Sequence, residues 1–294
     1  MATRRGGVIG RRRENLTAWA FLLPGLIPLV AFLYWPLGQS FGLSFFQWNL
    51  LGEPRFVGLL QYERLLASDT FRQSLYVTAV YTIGVSAVAY ALSLGTAVLL
   101  NRGLRIVRWV RTISLLPAII PMVVAGVIWK FIYEPTGGPL NQVLGVFGVD
   151  GPAWLQHPQL ALPAVMLVSV WKDFGIYMLV LLGGLQQIPR EIDEAASIDG
   201  AGAWQRFWRV KFPMLGAANL FVLVLLIFNA FKVFDQVWVM TEGGPGNATL
   251  TIITFLYTRL LTDVGFAAAG TTVLFLLVLI PLSLQILARR RAAA

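Results

Sequence analysis

Two short stretches place polar and charged side chains inside long apolar runs. Ser169, Lys172, Asp173 and Ile176 fall at i, i+3, i+4 and i+7, and Asn229, Lys232 and Gln236 follow the same helical period. That spacing puts each set on one helix face, with Asp235 rotated away from the second. Ionisable residues within membrane-length runs face a bundle interior or a water-filled cavity, so the expected chemistry is recognition of a polar solute. The same residues can instead form structural pairs, Lys172 with Asp173 and Lys232 with Asp235, each lysine reaching toward a membrane edge. Bond-making chemistry has little support. A hydrolase needs an activated nucleophile, and the only histidine, His157, stands beside Pro158 with no Ser/His constellation around it. With no cysteine there is no disulfide framework, iron–sulfur site or Cys/His zinc site. No G-x-x-x-x-G-K-S/T loop is present, so the chain does not hydrolyse ATP by itself.

A third stretch, Gln186–Pro213, reads QQIPREIDEAASIDGAGAWQRFWRVKFP. Pro189 suits a first helical turn, and Glu191, Asp193 and Glu194 put negative charge at the positive helix end. Gly200 and Gly202 can stop that helix in a left-handed backbone. Beyond them Trp204, Phe207, Trp208 and Lys211 resume helical spacing. The expectation is helix, turn, helix, lying either on a membrane surface or against a partner.

The elements that position these stretches are membrane helices. Of 294 residues, 57% are hydrophobic and 13% charged, which points to lipid as the main solvent. Apolar runs of membrane-crossing length fall near Leu16–Phe46, Tyr76–Leu100, Val107–Tyr133, Leu160–Leu185, Pro213–Met240 and Gly265–Ala288, six candidate spans. Leu250–Leu261 is apolar enough to pack beside them. The first run is expected to be a retained anchor, because Phe32-Leu33-Tyr34-Trp35-Pro36 stands where a cleavage site would need small residues. Pro117, Pro121 and Pro163 should kink their helices. Sixteen Lys and Arg fall on one side of the alternating connections against four on the other, which places both termini in the cytoplasm. The net charge of +9 sits in these short clusters and not across a polar face, so no nucleic acid is expected as a partner.

Glu194-Ala195-Ala196, Gly200 after three further residues, and Val210-Lys211-Phe212-Pro213 after nine more together resemble the EAA loop of binding-protein-dependent ABC importer permeases. The family pattern ends in I-x-L-P; every spacing is kept here, with Val210 and Phe212 in the two apolar places. WKDFGIYM at 171–178, FKVFDQVWVMTEGGPGNAT at 231–249 and GFAAAG at 265–270 resemble its carbohydrate-uptake branch, of maltose or glycerol-3-phosphate type.

The resemblance implies an all-α, polytopic membrane helix bundle of six transmembrane helices with the type I (MetI-like) permease fold. It implies a basic cytoplasmic segment 1–15, a permease domain 16–288 carrying the coupling loop 186–213, and a basic tail 289–294. Glu194, Ala195, Ala196, Asp199, Gly200 and Pro213 would belong to the surface that docks on a cytoplasmic ATPase. The face holding Ser169, Lys172, Asp173 and Ile176, with Asn229, Lys232 and Gln236, would line the path of a sugar, oligosaccharide, polyol or glycerophosphate-type solute. Expected partners are a homologous second permease, a dimer of ABC ATPase subunits that use ATP and magnesium, an extracytoplasmic solute-binding protein and membrane lipid, in the bacterial inner membrane. This chain itself would hold no cofactor or metal. A secondary active transporter is the alternative, and it would leave the Glu194–Pro213 loop without a purpose.

Overall fold

Backbone placed in hydrocarbon must satisfy its own hydrogen bonds, and this chain does so almost wholly with helices. The computed structural model describes the backbone of residues 8–101 and 107–292 and the side chains of 18–101 and 109–279. The arginines of residues 1–15, Arg102, Arg105 and Arg108, and the basic tail, all part of the charge count above, lie outside the described side chains.

The chain divides into two compact units. The first comprises residues 1–67 and 256–294. In it, α1 (Val8–Leu29) continues through one wide turn, Val30–Tyr34, into α2 (Trp35–Leu43). Trp19, Phe21 and Phe32 are exposed along the 26-residue stretch Ala18–Leu43, as befits side chains meeting lipid. A hairpin of β1 (Phe46–Gln47) and β2 (Arg55–Phe56) is the one departure from an all-helical expectation among the described residues. It is followed by α3 (Leu60–Ala67), and the unit ends with α15 (Val264–Ala292). Gln61 donates from its side-chain amide to the Phe46 carbonyl at 3.1 Å, and Arg64 pairs with Asp263 at 2.9 Å. Gly265 sits where a Cβ would collide with that same Phe46 carbonyl, so the hairpin lies directly on the helix start.

The second unit, residues 68–255, holds both polar stretches. α4 (Asp69–Leu100) starts at Ser68, whose side chain accepts the Phe71 amide, and α8 (Pro158–Gln186) starts at His157, whose Nδ1 accepts the Gln159 amide at 3.3 Å. The sole histidine is thus a helix cap. These two long helices pack along their length around Tyr81, Val85, Ala89, Val165, Val168, Met178 and Leu181. Around them stand α5 (Val107–Ile119), α6 (Met122–Ile132) and α7 (Pro139–Val146). The cross-over region contains α9 (Arg190–Ile198), α10 (Ala203–Arg206) and α11 (Phe212–Met214), followed by α12 (Gly216–Phe231) and α13 (Asp235–Thr241). α14 (Ile252–Leu260) begins buried: its Ile252 amide donates to Thr78 Oγ1 at 2.8 Å.

Among the described residues, three helices, Ala18–Leu43, α4 and α8, are long and apolar enough to cross a membrane unbroken. Two expected spans are interrupted. The run Val107–Tyr133 bends by 100° between α5 and α6, with Pro121 capping the second piece in extended backbone. Pro117 and Pro163, expected to kink their helices as well, lie inside α5 and α8. The run Pro213–Met240 contains two breaks, a 74° bend at Leu215 and a non-helical stretch at residues 232–234.

Gly175 fixes the approach of α5 to α8. A Cβ there would overlap the Ser114 carbonyl, so only glycine lets the two backbones touch, the small-residue packing that replaces the hydrophobic effect inside a membrane. Gly175→Leu is expected to cost about 3 kcal/mol by overpacking, read as a lowered Tm of the detergent-solubilised protein; an unchanged Tm would show that α5 is free to move aside.

Candidate functional site

A cavity of about 480 Å³ opens among α4, α8, α12 and α13. Its floor is a polar node. Gln236 Nε2 donates to the Tyr81 hydroxyl at 2.9 Å and to Ser169 Oγ at 2.8 Å, and Tyr81 and Ser169 are themselves hydrogen-bonded. All three are buried, at 6%, 1% and 4% exposure, so these bonds are made away from water. Above the node, Asn229 Nδ2 donates to the Tyr177 hydroxyl at 3.1 Å. Asp173, Lys232 and Asp235 complete the polar wall, and Leu226 and Phe234 give it apolar surface.

Five of the seven expected pathway residues therefore meet in one place: Ser169, Asp173, Asn229, Lys232 and Gln236. Lys172 and Ile176 do not line it. Lys172 pairs with Asp173 at 3.2 Å from the cavity's flank, and Ile176 is exposed. The cavity face of α8 runs instead through 169, 173 and 177, one helical row further round. On the other helix the premise of a continuous face fails, because α12 ends at Phe231 and α13 begins at Asp235. That break turns Asp235 into the cavity rather than away from it. It also separates Lys232 from Asp235: Lys232 Nζ lies 3.9 Å over the Phe228 ring, a cation–π contact, and the expected lysine–aspartate pair does not form.

The second locus is the connection between α8 and α12. Pro189 caps α9 from outside, one residue before the first turn expected for it. Gly200 ends α9 at φ +81, and the Ala201 amide reaches back to the Ala196 carbonyl at 3.0 Å, closing the helix end. Gly202 does not share this role: at φ −65 and ψ 163 it starts α10. The expected regular helix from Trp204 to Lys211 contains one wide turn, Phe207–Lys211, which rotates Phe207, Trp208 and Phe212 onto one another. The result is an elbow of two arms. Glu194, Ala195, Asp199, Gly200 and Pro213 are exposed on it, Ala196 is half-buried, and Ile198 is 86% exposed.

The sequence profile of binding-protein-dependent transport system inner membrane components matches residues 87–293. The chain belongs to that family. The permease is 33% identical over 270 residues to the trehalose/maltose transport system permease protein MalF of Thermococcus litoralis, covering 91% of each chain. It is 30% identical over 270 residues to the sn-glycerol-3-phosphate transport system permease protein UgpA of Agrobacterium fabrum, covering 90% of this chain and 92% of that one. Its fold matches a chain in the crystal structure of a bacterial alginate ABC transporter in complex with alginate pentasaccharide-bound periplasmic protein, at TM-score 0.84 and 21% identity over 97% of this chain and 98% of that one. The permease is thus a multi-pass membrane protein with the MetI-like helical fold.

Tyr81 and Tyr177 are polar cavity residues that sequence reasoning missed, and Asp235 is one that it placed on the wrong face. Tyrosine in an apolar run reads as bulk, yet Ser74, Thr78, Thr82 and Ser86 recur at four-residue spacing along α4 next to Tyr81. That row was the available signal for a polar face. Asp193 was also missed as a partner, and it accepts from Lys211 Nζ at 3.0 Å.

Gln236→Leu removes the two hydrogen bonds that Gln236 donates to the node and is expected to cost about 1–3 kcal/mol, measured as a drop in Tm. A double-mutant cycle with Ser169→Ala should show strong coupling; additive losses would mean the node is not one unit.

Proposed function

We propose that the permease forms half of the path by which a polyhydroxylated solute enters a bacterium through the inner membrane, with ATP hydrolysed elsewhere. The observation that carries this reading is the elbow. α9 buries none of its residues within the chain, although its sequence alternates acids with Ile192, Ala195, Ala196 and Ile198, so its surface is made for another protein. The partner that fits is a dimer of cytoplasmic ABC ATPase subunits, using ATP and magnesium. Glu194 offers a carboxylate, Ala195 and Ala196 permit close approach, Asp199 and Gly200 form the tip, and Pro213 begins the return into the membrane.

The cavity supplies the other half of the argument. Hydroxyls of Tyr81, Tyr177 and Ser169, amides of Asn229 and Gln236, and the charges of Asp173, Asp235 and Lys232 suit a ligand rich in hydroxyl groups, with Phe234 as an apolar wall. The solutes for which those relatives are named, trehalose/maltose and sn-glycerol-3-phosphate, belong to that class. The solute is accordingly a sugar, oligosaccharide, polyol or glycerophosphate-type compound. A homologous second permease closes the far side of the path, and an extracytoplasmic binding protein delivers the cargo.

In this reading six spans leave both termini and the elbow in the cytoplasm, with α5–α6 and α12–α13 each counted as one interrupted span. Closure of the ATPase dimer pulls α9, the elbow turns α12 through the bend at Leu215, and α12 carries Asn229 and Leu226 at the cavity wall. Transport is then a two-state exchange of cavity access driven by nucleotide.

The cysteine-free sequence gives a direct test of sidedness. Ile198→Cys, as the sole thiol, is expected to react with a membrane-impermeant maleimide in inside-out vesicles and not in intact cells; labelling from outside would overturn the topology and the function together. Gly200→Val forces a β-branched residue to φ +81. It should lower uptake of radiolabelled maltose, trehalose or sn-glycerol 3-phosphate, whichever the wild type imports, by about tenfold while the assembled importer still hydrolyses ATP.

A further inference from the structure

The elbow has no apolar core of its own. None of the residues of α9, α10, the wide turn or α11 is fully buried, so nothing like a packed interior holds the two arms at a fixed angle. The turn between them, Gly200 to Gly202, contains two glycines and makes its one long-reaching bond, Ala201 to Ala196, inside the first arm. One charged cluster does cross from arm to arm. Asp193, on α9, takes the Lys211 ammonium on Oδ2 at 3.0 Å and faces the Arg206 Nε with Oδ1 at 3.6 Å. All three side chains are largely covered, at 33%, 26% and 26% exposure, in the hollow that the elbow forms with the ends of α4 and α8. Glu194, one residue later, is exposed and pairs with nothing among the described residues.

Neighbouring carboxylates on one short helix thus have different surroundings. Both border the hollow, but Glu194 is exposed at its rim and open to a partner, whereas Asp193 is half-buried and paired with the second arm. We propose that Asp193 is a positioning residue for energy transmission: it clamps α9 to the Arg206–Lys211 turn, so that displacement of α9 is delivered to α12 and not absorbed at the glycine turn. Arg206 and Lys211 act on the two oxygens of one carboxylate: the Lys211 contact is a charge-assisted hydrogen bond, and the Arg206 contact at 3.6 Å is an ion pair without one. The inference rests on the reading of the elbow as the ATPase contact, and adds to it the internal part that makes the contact stiff.

The test uses the importer assembled with its ATPase subunits, in proteoliposomes, and needs no cargo. One spin-label pair, on Ser197→Cys and Arg209→Cys, reports the angle between the arms; a second, on Ile83→Cys and Val127→Cys, reports rearrangement of the membrane bundle on trapping with ATP and vanadate. In Asp193→Asn the first distance distribution is expected to broaden, and the nucleotide-driven change in the second to fall about fivefold. The ATPase subunits should still co-purify and trap nucleotide at the wild-type level. Lys211→Gln should reproduce the effect, the double variant should be no worse than either single one, and Asp193→Glu should recover part of it. An unchanged arm-to-arm distribution in both Asp193→Asn and Lys211→Gln, or additive losses in the double variant, would overturn the clamp. Loss of ATPase co-purification in Asp193→Asn would overturn it too, by placing Asp193 in the docking contact. Glu194→Lys separates this from the parent reading: if that variant keeps its ATPase subunits and its full bundle response, the elbow is not the contact, whatever Asp193 does.

Discussion

Polar groups placed in hydrocarbon must find partners within the protein, and the arrangement of this permease follows from where that rule is met by helix backbone and where it is met by side chains. α4 and α8 satisfy it alone over 32 and 29 residues, and they form the fixed pair against which the other elements of their unit pack. The interrupted spans satisfy it differently. Where α12 gives way to α13, the freed groups sit against the cavity and against buried hydroxyls: the Val233 carbonyl accepts from Thr251 Oγ1 at 3.2 Å, and Gln236 is held by Tyr81 and Ser169. Irregular backbone at membrane depth is tolerated because it lines a cavity, and the cavity is polar because that backbone is there.

This links the two functional loci through one element. α12 begins at the elbow's 74° bend and ends at the cavity, sixteen residues later, with Val222 and Leu226 buried against the fixed pair on the way. At 1.5 Å per residue that helix is about 24 Å long and unbroken, and in the proposed cycle a rotation at Leu215 is carried along it to Asn229. The ion cluster of the elbow is placed at the start of the rod and the hydroxyl and amide groups at its end. In the proposed cycle, mechanical input at the elbow and solute contact at the cavity are joined by the intrahelical hydrogen bonds of α12.

Much of this was legible in the residues. Apolar length located every long helix, because the thickness of hydrocarbon imposes about twenty residues whatever the tertiary packing. The left-handed glycine at 200 was legible from its position after an acidic, alanine-rich helix, and Gly202 was misread because one glycine suffices to close α9. The breaks were harder. Pro121 interrupts its span while Pro117 and Pro163 stay inside helices, and that outcome depends on whether neighbouring groups re-satisfy the carbonyl each proline frees. The break at residues 232–234 has no proline at all, so periodicity carried the helix straight through it and pointed Asp235 the wrong way. The cavity's tyrosines escaped because a phenol buried in a helix row looks apolar until its hydroxyl finds a partner.

The two breaks also bear on each other. α6 follows the first and α13 follows the second, and these short helices pack together: Gly126 brings α6 within contact distance of Val239 and Met240, and Lys130 Nζ donates to the Val239 carbonyl at 3.2 Å. Neither is continuous with the helix before it, and α6 is held to α8 by the Tyr133 hydroxyl, which donates to the Ala164 carbonyl at 3.2 Å, and by the Trp129–Trp171 ring contact. Gln236 ties α13 to Tyr81 of α4 and Ser169 of α8. Its two donated bonds are short enough to hold, yet a polyhydroxylated solute offers the same acceptors that Tyr81 and Ser169 do. Exchange of internal for solute hydrogen bonds at Gln236 would cost little net enthalpy, because each donor remains satisfied throughout. In the proposed cycle, solute contact and bundle conformation thus meet at one side chain of the cavity, Gln236.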